Sequence, residues 1–214
     1  MMHQSREAPK PPRLRRPCRR AKIALNKREP HMKFCSACGQ PVIQQIPEGD
    51  SRLRYVCGSC QTIHYQNPNI VAGVLPTWGS QVLLCRRAIE PRRGFWTLPA
   101  GFMENGETLD QAARRETVEE ACARVGPTSL YQLFDLPHIS QVHVFFRAEL
   151  VDLDFAAGPE SLEVQLFDEA DIPWSELAFR TVGRTLECFF ADRRTEVYPV
   201  RSESIPPLAQ PAIT

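Results

Sequence analysis

The sequence predicts an α+β or mixed α/β sandwich preceded by a small cysteine-rich module. Three observations carry this prediction. Short apolar runs bounded by turn residues outnumber helical patterns, which predicts strands that pair mostly with each other. Two longer stretches carry helical periodicity, and one of them has a clear start signal. Four of the eight cysteines stand in two C-x-x-C pairs ahead of everything else.

Along the chain, residues 1–31 come first. They hold ten Lys/Arg against Glu7 and Glu29, with five prolines and few apolar residues. That composition predicts a disordered basic extension. It is open to three readings: an inert extension upstream of Met32, a functional arm, or an organelle-targeting segment. No apolar h-region marks a secretory signal, so a cytoplasmic location is expected. No apolar run approaches the ~18 residues of a membrane span. The rest of the chain carries the opposite charge, 16 basic against 23 acidic residues. An acidic body is a poor partner for nucleic-acid phosphates and suits a protein that gathers carboxylates around metal ions.

Residues 32–66 form the small module. Cys35, Cys38, Cys57 and Cys60 follow C-x₂-C-x₁₈-C-x₂-C spacing, which lies in the zinc-ribbon range. Four thiolates close a tetrahedral site with no open position, so the zinc is expected to be structural. The module has three basic residues between Lys33 and Cys60 and few aromatics, so nucleic-acid binding is not expected. It reads as a folding clip or a dimer contact, which leaves a homodimer open. Cys18, Cys85, Cys122 and Cys188 read as free or core thiols.

Residues 67–200 form the main domain. Strands are expected at Ile70–Leu75, Gln81–Arg86, Leu130–Leu136, Gln141–Leu150 and Val164–Phe167. Helices are expected at Leu109–Ala123 and Phe179–Asp192. Residues 201–214 are expected to be a flexible, proline-rich tail.

The stretch from Gly101 to Ala123 carries the chemistry. Thr108 and Gln111 make a capping box, which starts a helix. Leu109, Ala112, Ala113 and Ala121 supply its apolar side. Glu116, Glu119 and Glu120 stand at i, i+3 and i+4 and crowd one face. Three like charges this close gain nothing unless cations sit among them, and hard divalent cations with oxygen ligands suit that role.

This stretch resembles the Nudix box, G-x₅-E-x₇-R-E-U-x-E-E-x-G-U, where U is a bulky apolar residue. Gly101, Glu107, Arg115, Glu116, Glu119 and Glu120 match; Thr117, Cys122 and Ala123 depart. The resemblance implies a Nudix-type α/β/α sandwich with a mixed sheet and Mg²⁺- or Mn²⁺-dependent hydrolysis of a diphosphate. It implies metal ligands at Glu116, Glu119, Glu120 and the Gly101 carbonyl, with Arg115 holding Glu116 and Glu107 pairing with Arg115. It implies a further carboxylate downstream, for which Glu163 is the first candidate and Glu160 the second. Arg86 or Arg87 could clamp phosphate, and Phe95, Trp96 or Phe102 could stack on a base or flavin.

Beyond the box, residues 33–200 are similar to the plant-type FAD/ADP-ribose diphosphatases and their bacterial relatives. The similarity lies in Cys85-Arg-Arg87, Gly94-Phe-Trp-Thr-Leu-Pro-Ala-Gly101 and Gly158-Pro-Glu-Ser-Leu-Glu163. It implies a small dinucleotide substrate, FAD ahead of ADP-ribose and NADH. The S-Q-P-W-P-F-P-type signature of NADH diphosphatases is replaced by Leu136-Pro-His-Ile-Ser-Gln-Val-His143. A Nudix fold serving only as a binding or regulatory module is the alternative from another class; it commonly lacks box carboxylates, and here all are present. An mRNA-cap or RNA-end hydrolase is a third option, which the acidic body disfavours.

Overall fold

The computed structural model describes residues 32–207, and the expectations placed on residues 1–31 and on the end of the tail lie outside them. Three short strands, β1 (Val42–Gln45), β2 (Arg54–Cys57) and β3 (Ile63–His64), form an antiparallel meander in that order. The first cysteine pair sits in the turn before β1, where Gly39 takes a left-handed φ of 74° and donates its N–H to the Cys35 carbonyl at 2.9 Å. The second pair begins at the end of β2.

The main domain is built on a mixed sheet. Its strands are β4 (Asn69–Trp78), β5 (Gln81–Arg87), β6 (Trp96–Thr97), β7 (Ala100–Phe102), β8 (Ser129–Leu136), β9 (Gln141–Glu149), β10 (Ser161–Phe167) and β11 (Arg201–Ser204). The order is β10-β5-β4-β9-β8-β11, with β6 on β5 and β7 on β4. The β4–β9 and β8–β11 pairs are parallel and the others antiparallel. β4 is the hub: β9 runs along one side, while its other side is shared by β7 at the start and β5 at the end.

Two helices, α1 (Leu109–Ala121) and α2 (Arg180–Arg193), cover opposite faces. Side chains alternate across a strand, so neighbouring residues serve different layers. Leu75, Val82 and Leu84 pack with Phe134, Phe145, Leu186 and Phe189 under α2. Val74 packs with Ala112 and Ala113, and Leu83 and Cys85 pack with Ala121, under α1. The result is the expected α/β/α sandwich. The α1 contacts are made largely by alanine, so this helix lies close against the sheet, and Glu116 and Glu120 reach Gly101 and Ala100 of β7.

The tail requires a correction. Residues Arg201–Ser204 pair in parallel with Gln132–Asp135, and Ile205 is buried. Arg201 makes a bidentate ion pair with Asp192 of α2, at 2.6 Å on each oxygen, and Asp192 also accepts from the Tyr131 hydroxyl at 2.7 Å. A charged four-residue segment thus becomes an edge strand because a buried carboxylate on α2 holds it there. Among the described residues, no helix is long and apolar enough to cross a membrane.

Candidate active site

The helix that carries the acidic residues begins as its sequence requires. The Thr108 side chain accepts from the Gln111 N–H and the Gln111 side chain accepts from the Thr108 N–H. Its buried stripe is Ala112, Ala113, Glu116, Thr117, Glu120 and Ala121. Two of the three glutamates therefore lie on the stripe that faces the sheet, and only Glu119 looks outward. Thr117 is tolerated there because its hydroxyl donates to the Ala113 carbonyl at 2.8 Å. Ala123 is buried beside Leu83 and Leu150, where a larger side chain would have to displace the sheet.

Burying two carboxylates is unfavourable by several kcal/mol unless they are hydrogen-bonded or paired. Arg115 meets part of this. Its guanidinium grips Glu107 through Nε (3.0 Å) and Nη2 (2.7 Å), donates from Nη1 to Glu116 at 2.7 Å and to Glu119 at 3.4 Å, and donates from Nη2 to the Phe102 carbonyl at 3.1 Å. The Arg115 contact, with the Glu104 N–H, pulls the Glu107 carboxyl down to about 2. Glu120 accepts one backbone hydrogen bond, from Ala100 at 3.1 Å. Burial pushes its carboxyl up to about 8, the neighbouring Glu116 and Glu160 add to the rise, and the Ala100 N–H and Arg87 oppose it.

β7 completes the cradle. Gly101 pairs with Ala72 of β4, and a Cβ on it would lie 2.3 Å from the Glu116 carboxylate. Only glycine lets backbone come this close to that side chain. Hard oxygen donors carrying excess negative charge, with a glycine backbone against them, are what a divalent cation requires. Glu116, Glu119, Glu120 and the Gly101 carbonyl are the groups here that could hold such a cation.

The two downstream carboxylates that the sequence offered, Glu163 and Glu160, are placed differently. In β10 a register shift between Ser161 and Glu163 places Glu163 opposite Arg86, and its carboxylate faces Arg86 Nη1 at 3.6 Å. Val164 and Leu166 pack under α1, so alternation puts Glu163 with Phe167 on the α2 side. Glu160, before the shift, is the residue whose charge acts on Glu120 and Arg87.

The phosphate-clamp candidates separate in a similar way. Arg86 is engaged by the Gly94 carbonyl at 2.9 Å and by Glu163. Arg87 is buried, donates to the Pro91 carbonyl at 2.9 Å and lies over the Phe179 ring at 5.1 Å; burial lowers its pKa, while Glu120 and Glu160 oppose the fall. Of the aromatic candidates, Trp96 is a core residue, edge-on to Phe167 at 4.8 Å, and so unavailable for stacking. Phe95 lies under the Arg92 guanidinium, 5.3 Å away, and Phe102 exposes about half its surface, 47%.

In the small module the four cysteine sulfurs lie within 4.8 Å of one another, with 3.6 Å between Cys35 and Cys60 and 3.5 Å between Cys38 and Cys57. Four sulfurs around zinc at ~2.3 Å stand ~3.8 Å apart, so the cluster has the size of a Cys₄ zinc site. Among the described residues it is the only group of three or more candidate ligands drawn this close.

Comparison with known proteins agrees with this architecture. Residues 33–66 match the Nudix N-terminal zinc-ribbon family, and residues 67–185 match the NUDIX domain. The chain is 30% identical over 171 residues to a protein called NAD-capped RNA hydrolase NudC from Stutzerimonas stutzeri, covering 78% of this chain and 59% of that one. It is 32% identical over 167 residues to the protein of the same name from Pseudomonas entomophila, covering 76% and 57%. The chain therefore spans less than two thirds of the length of these relatives. A crystal structure of a NUDIX hydrolase from Nitrosomonas europaea superposes with a TM-score of 0.79 at 56% identity, over 81% of this chain and 99% of that one. The NUDIX match alone takes in more than half of the sequence, and so this chain belongs to the Nudix family, with the family's zinc ribbon ahead of its NUDIX domain.

Proposed function

We propose that this chain is a Mg²⁺-dependent pyrophosphohydrolase that cuts the diphosphate bridge of a small dinucleotide, with FAD as the leading substrate. The observation that carries the reading is the pair of buried carboxylates, Glu116 and Glu120, on the face of α1 that meets Gly101. A helix gains no stability from burying two acids side by side, so the arrangement is explained by the cation it can hold.

Glu116, Glu119, Glu120 and the Gly101 carbonyl would hold the metal. A cation bound there supplies charge neutralisation for the diphosphate and Lewis-acid activation of water. Arg115 keeps Glu116 aimed at the site and is itself fixed by Glu107. Glu160 adds negative charge that acts on Glu120, and Arg87 adds positive charge that opposes it. One water is consumed: its oxygen bonds to one phosphorus, the bridging P–O bond breaks, and two monophosphates leave. From FAD these are FMN and AMP.

The choice of FAD is supported by the similarity of residues 33–200 to the FAD/ADP-ribose diphosphatases. A second reading, ADP-ribose or NADH, is favoured by the relatives named as NAD-capped RNA hydrolases. Incubating the protein with Mg²⁺ and FAD, ADP-ribose, NADH or a diadenosine polyphosphate, then separating products by chromatography, decides between them. FMN and AMP from FAD support the first reading. AMP from ADP-ribose or NADH with intact FAD supports the second. No turnover of any of them leaves the Nudix domain as a binding module and overturns the hydrolase reading.

A further inference from the structure

The helix that carries Glu116, Glu119 and Glu120 ends without the usual stop. It has no basic residue in its last turn, and Cys122 rather than glycine takes the left-handed position at φ 49°. That substitution is unfavourable by about 1 kcal/mol. Orphan carbonyls at such an end need donors from elsewhere. Here they come from the segment between β9 and β10. The Ala156 N–H donates to the Ala121 carbonyl at 2.9 Å, and the Gly158 N–H donates to the Glu120 carbonyl at 3.0 Å.

Gly158 is buried and has an ordinary φ, so the position demands space rather than an unusual torsion. A Cβ there would lie 1.8 Å from the Glu119 carbonyl oxygen and 2.8 Å from its carbon. Both atoms are backbone of the helix and cannot swing aside. Any side chain would drive the segment back from the helix end.

The same glycine opens a turn. The Ser161 N–H donates to the Gly158 carbonyl at 3.0 Å, which places Pro159 and Glu160 at the turn's centre, with proline at the position that favours it. The Glu160 carbonyl in turn accepts from the Ala88 N–H at 2.8 Å, just beyond β5. Glu160 is therefore fixed from two sides, through Gly158 to the end of α1 and through Ala88 to the sheet.

We infer that Gly158 is a positioning residue for the hydrolytic site: its contact with the Glu119 and Glu120 carbonyls sets where Glu160 stands relative to the buried Glu116 and Glu120. The inference rests on the diphosphate-hydrolase reading. It names a residue with no functional side chain, through which the spacing between a loop carboxylate and a helix carboxylate is held.

A double-mutant cycle on the full chain tests it. Gly158→Ala should lower kcat about 30-fold while KM changes less than about threefold, because geometry at the reacting centre is lost and ground-state binding is not. Glu160→Gln should lower kcat to a similar extent. Combining them should add less than about a further threefold, since both act through one carboxylate. A purely structural role for Gly158 would instead lower the thermal midpoint and leave kcat at 25 °C intact, or would multiply with Glu160→Gln; either result overturns the inference. If Gly158→Ala fails to fold, the cycle is run with Pro159→Gly, which loosens the same turn without adding an atom near Glu119. It should lower kcat in the wild-type background and not in the Glu160→Gln background, and equal losses in both would refute the inference. A wild-type protein that releases no monophosphate from any substrate refutes the hydrolase reading itself, and this inference with it.

Discussion

Gly101 and Glu116 are in such close contact that a single methyl group on the glycine would fall 2.3 Å from the glutamate carboxylate. The strand β7 and the helix α1 thus meet at one backbone position and one acid. Gly101→Ala should displace the carboxylate rather than the strand, because a side-chain end yields more readily than a paired backbone. We expect a loss of about 100-fold in kcat with the fold retained, as misplacement of ~1 Å at a reacting centre commonly produces. Turnover within a factor of about two of wild type would show that the contact has no part in the chemistry.

Glu120→Gln and Glu119→Gln should each lower kcat by several orders of magnitude, since each removes a charge the metal needs. They should differ in stability. Glu120 is buried with its carboxyl raised to about 8, so the folded state holds a proton that the unfolded chain releases between about pH 4.3 and 8. Its burial is therefore most unfavourable above pH 8. Metal-free Glu120→Gln should melt higher than wild type at pH 9 and no higher near pH 4, whereas Glu119→Gln, with its half-exposed side chain, should melt as wild type does. Melting curves at the two pH values check this, and retention of more than about a tenth of wild-type turnover in both variants would sink the metal-site assignment.

Metal analysis should find one tightly held zinc per chain, lost in Cys35→Ser or Cys57→Ser. Because zinc binding at such a site is coupled to folding, removing it should raise hydrogen exchange across residues 33–66 and leave the sheet of the main domain protected. A folded, zinc-free protein with four reactive thiols would contradict the assignment.

His143 supplies a pH dependence of the opposite sign to that of Glu120. Burial lowers its pKa to about 4, and its nitrogens lie 3.3 Å from the Thr181 hydroxyl and 3.0 Å from the Gln141 side-chain oxygen. The unfolded chain takes up a proton near pH 6.5 that the folded one refuses until about pH 4. The stability this neutral histidine contributes is full above about pH 6.5 and is lost as pH falls through that window, by about 3 kcal/mol in all. His143→Gln should flatten the fall in urea stability between pH 6.5 and 4. Parallel curves for the two proteins would refute this account.

Phe102, next to Gly101, exposes about half its side chain, and its carbonyl is held by Arg115. If it forms a wall for a flavin, Phe102→Ala should reduce kcat/KM for FAD about tenfold more than for ADP-ribose, the worth of one stacking contact. Equal losses on the two substrates would remove Phe102 from the flavin site without touching the hydrolase assignment.

Taken by itself, the sequence determined what depends on near neighbours in the chain. The capping box at Thr108 and Gln111, the spacing of Glu116, Glu119 and Glu120, and the two C-x-x-C pairs are local patterns, and each sets up its structure within one or two turns of backbone. Tertiary structure decided everything that turns on which face meets what. Only the packing of α1 on the sheet showed that Glu116 and Glu120 are buried and Glu119 is not. Only the shift of register before Glu163 moved that residue to the α2 side and left Glu160 to act on Glu120, since one extra residue in a strand reverses every side chain beyond it. Trp96 lies in the core because Phe167 arrives beside it, and Arg201–Ser204 becomes a strand because Asp192 awaits it on α2. The need for glycine at 158 is of this kind as well: its reason is the Glu119 carbonyl, which lies far away in the chain and 1.8 Å from where a side chain would begin.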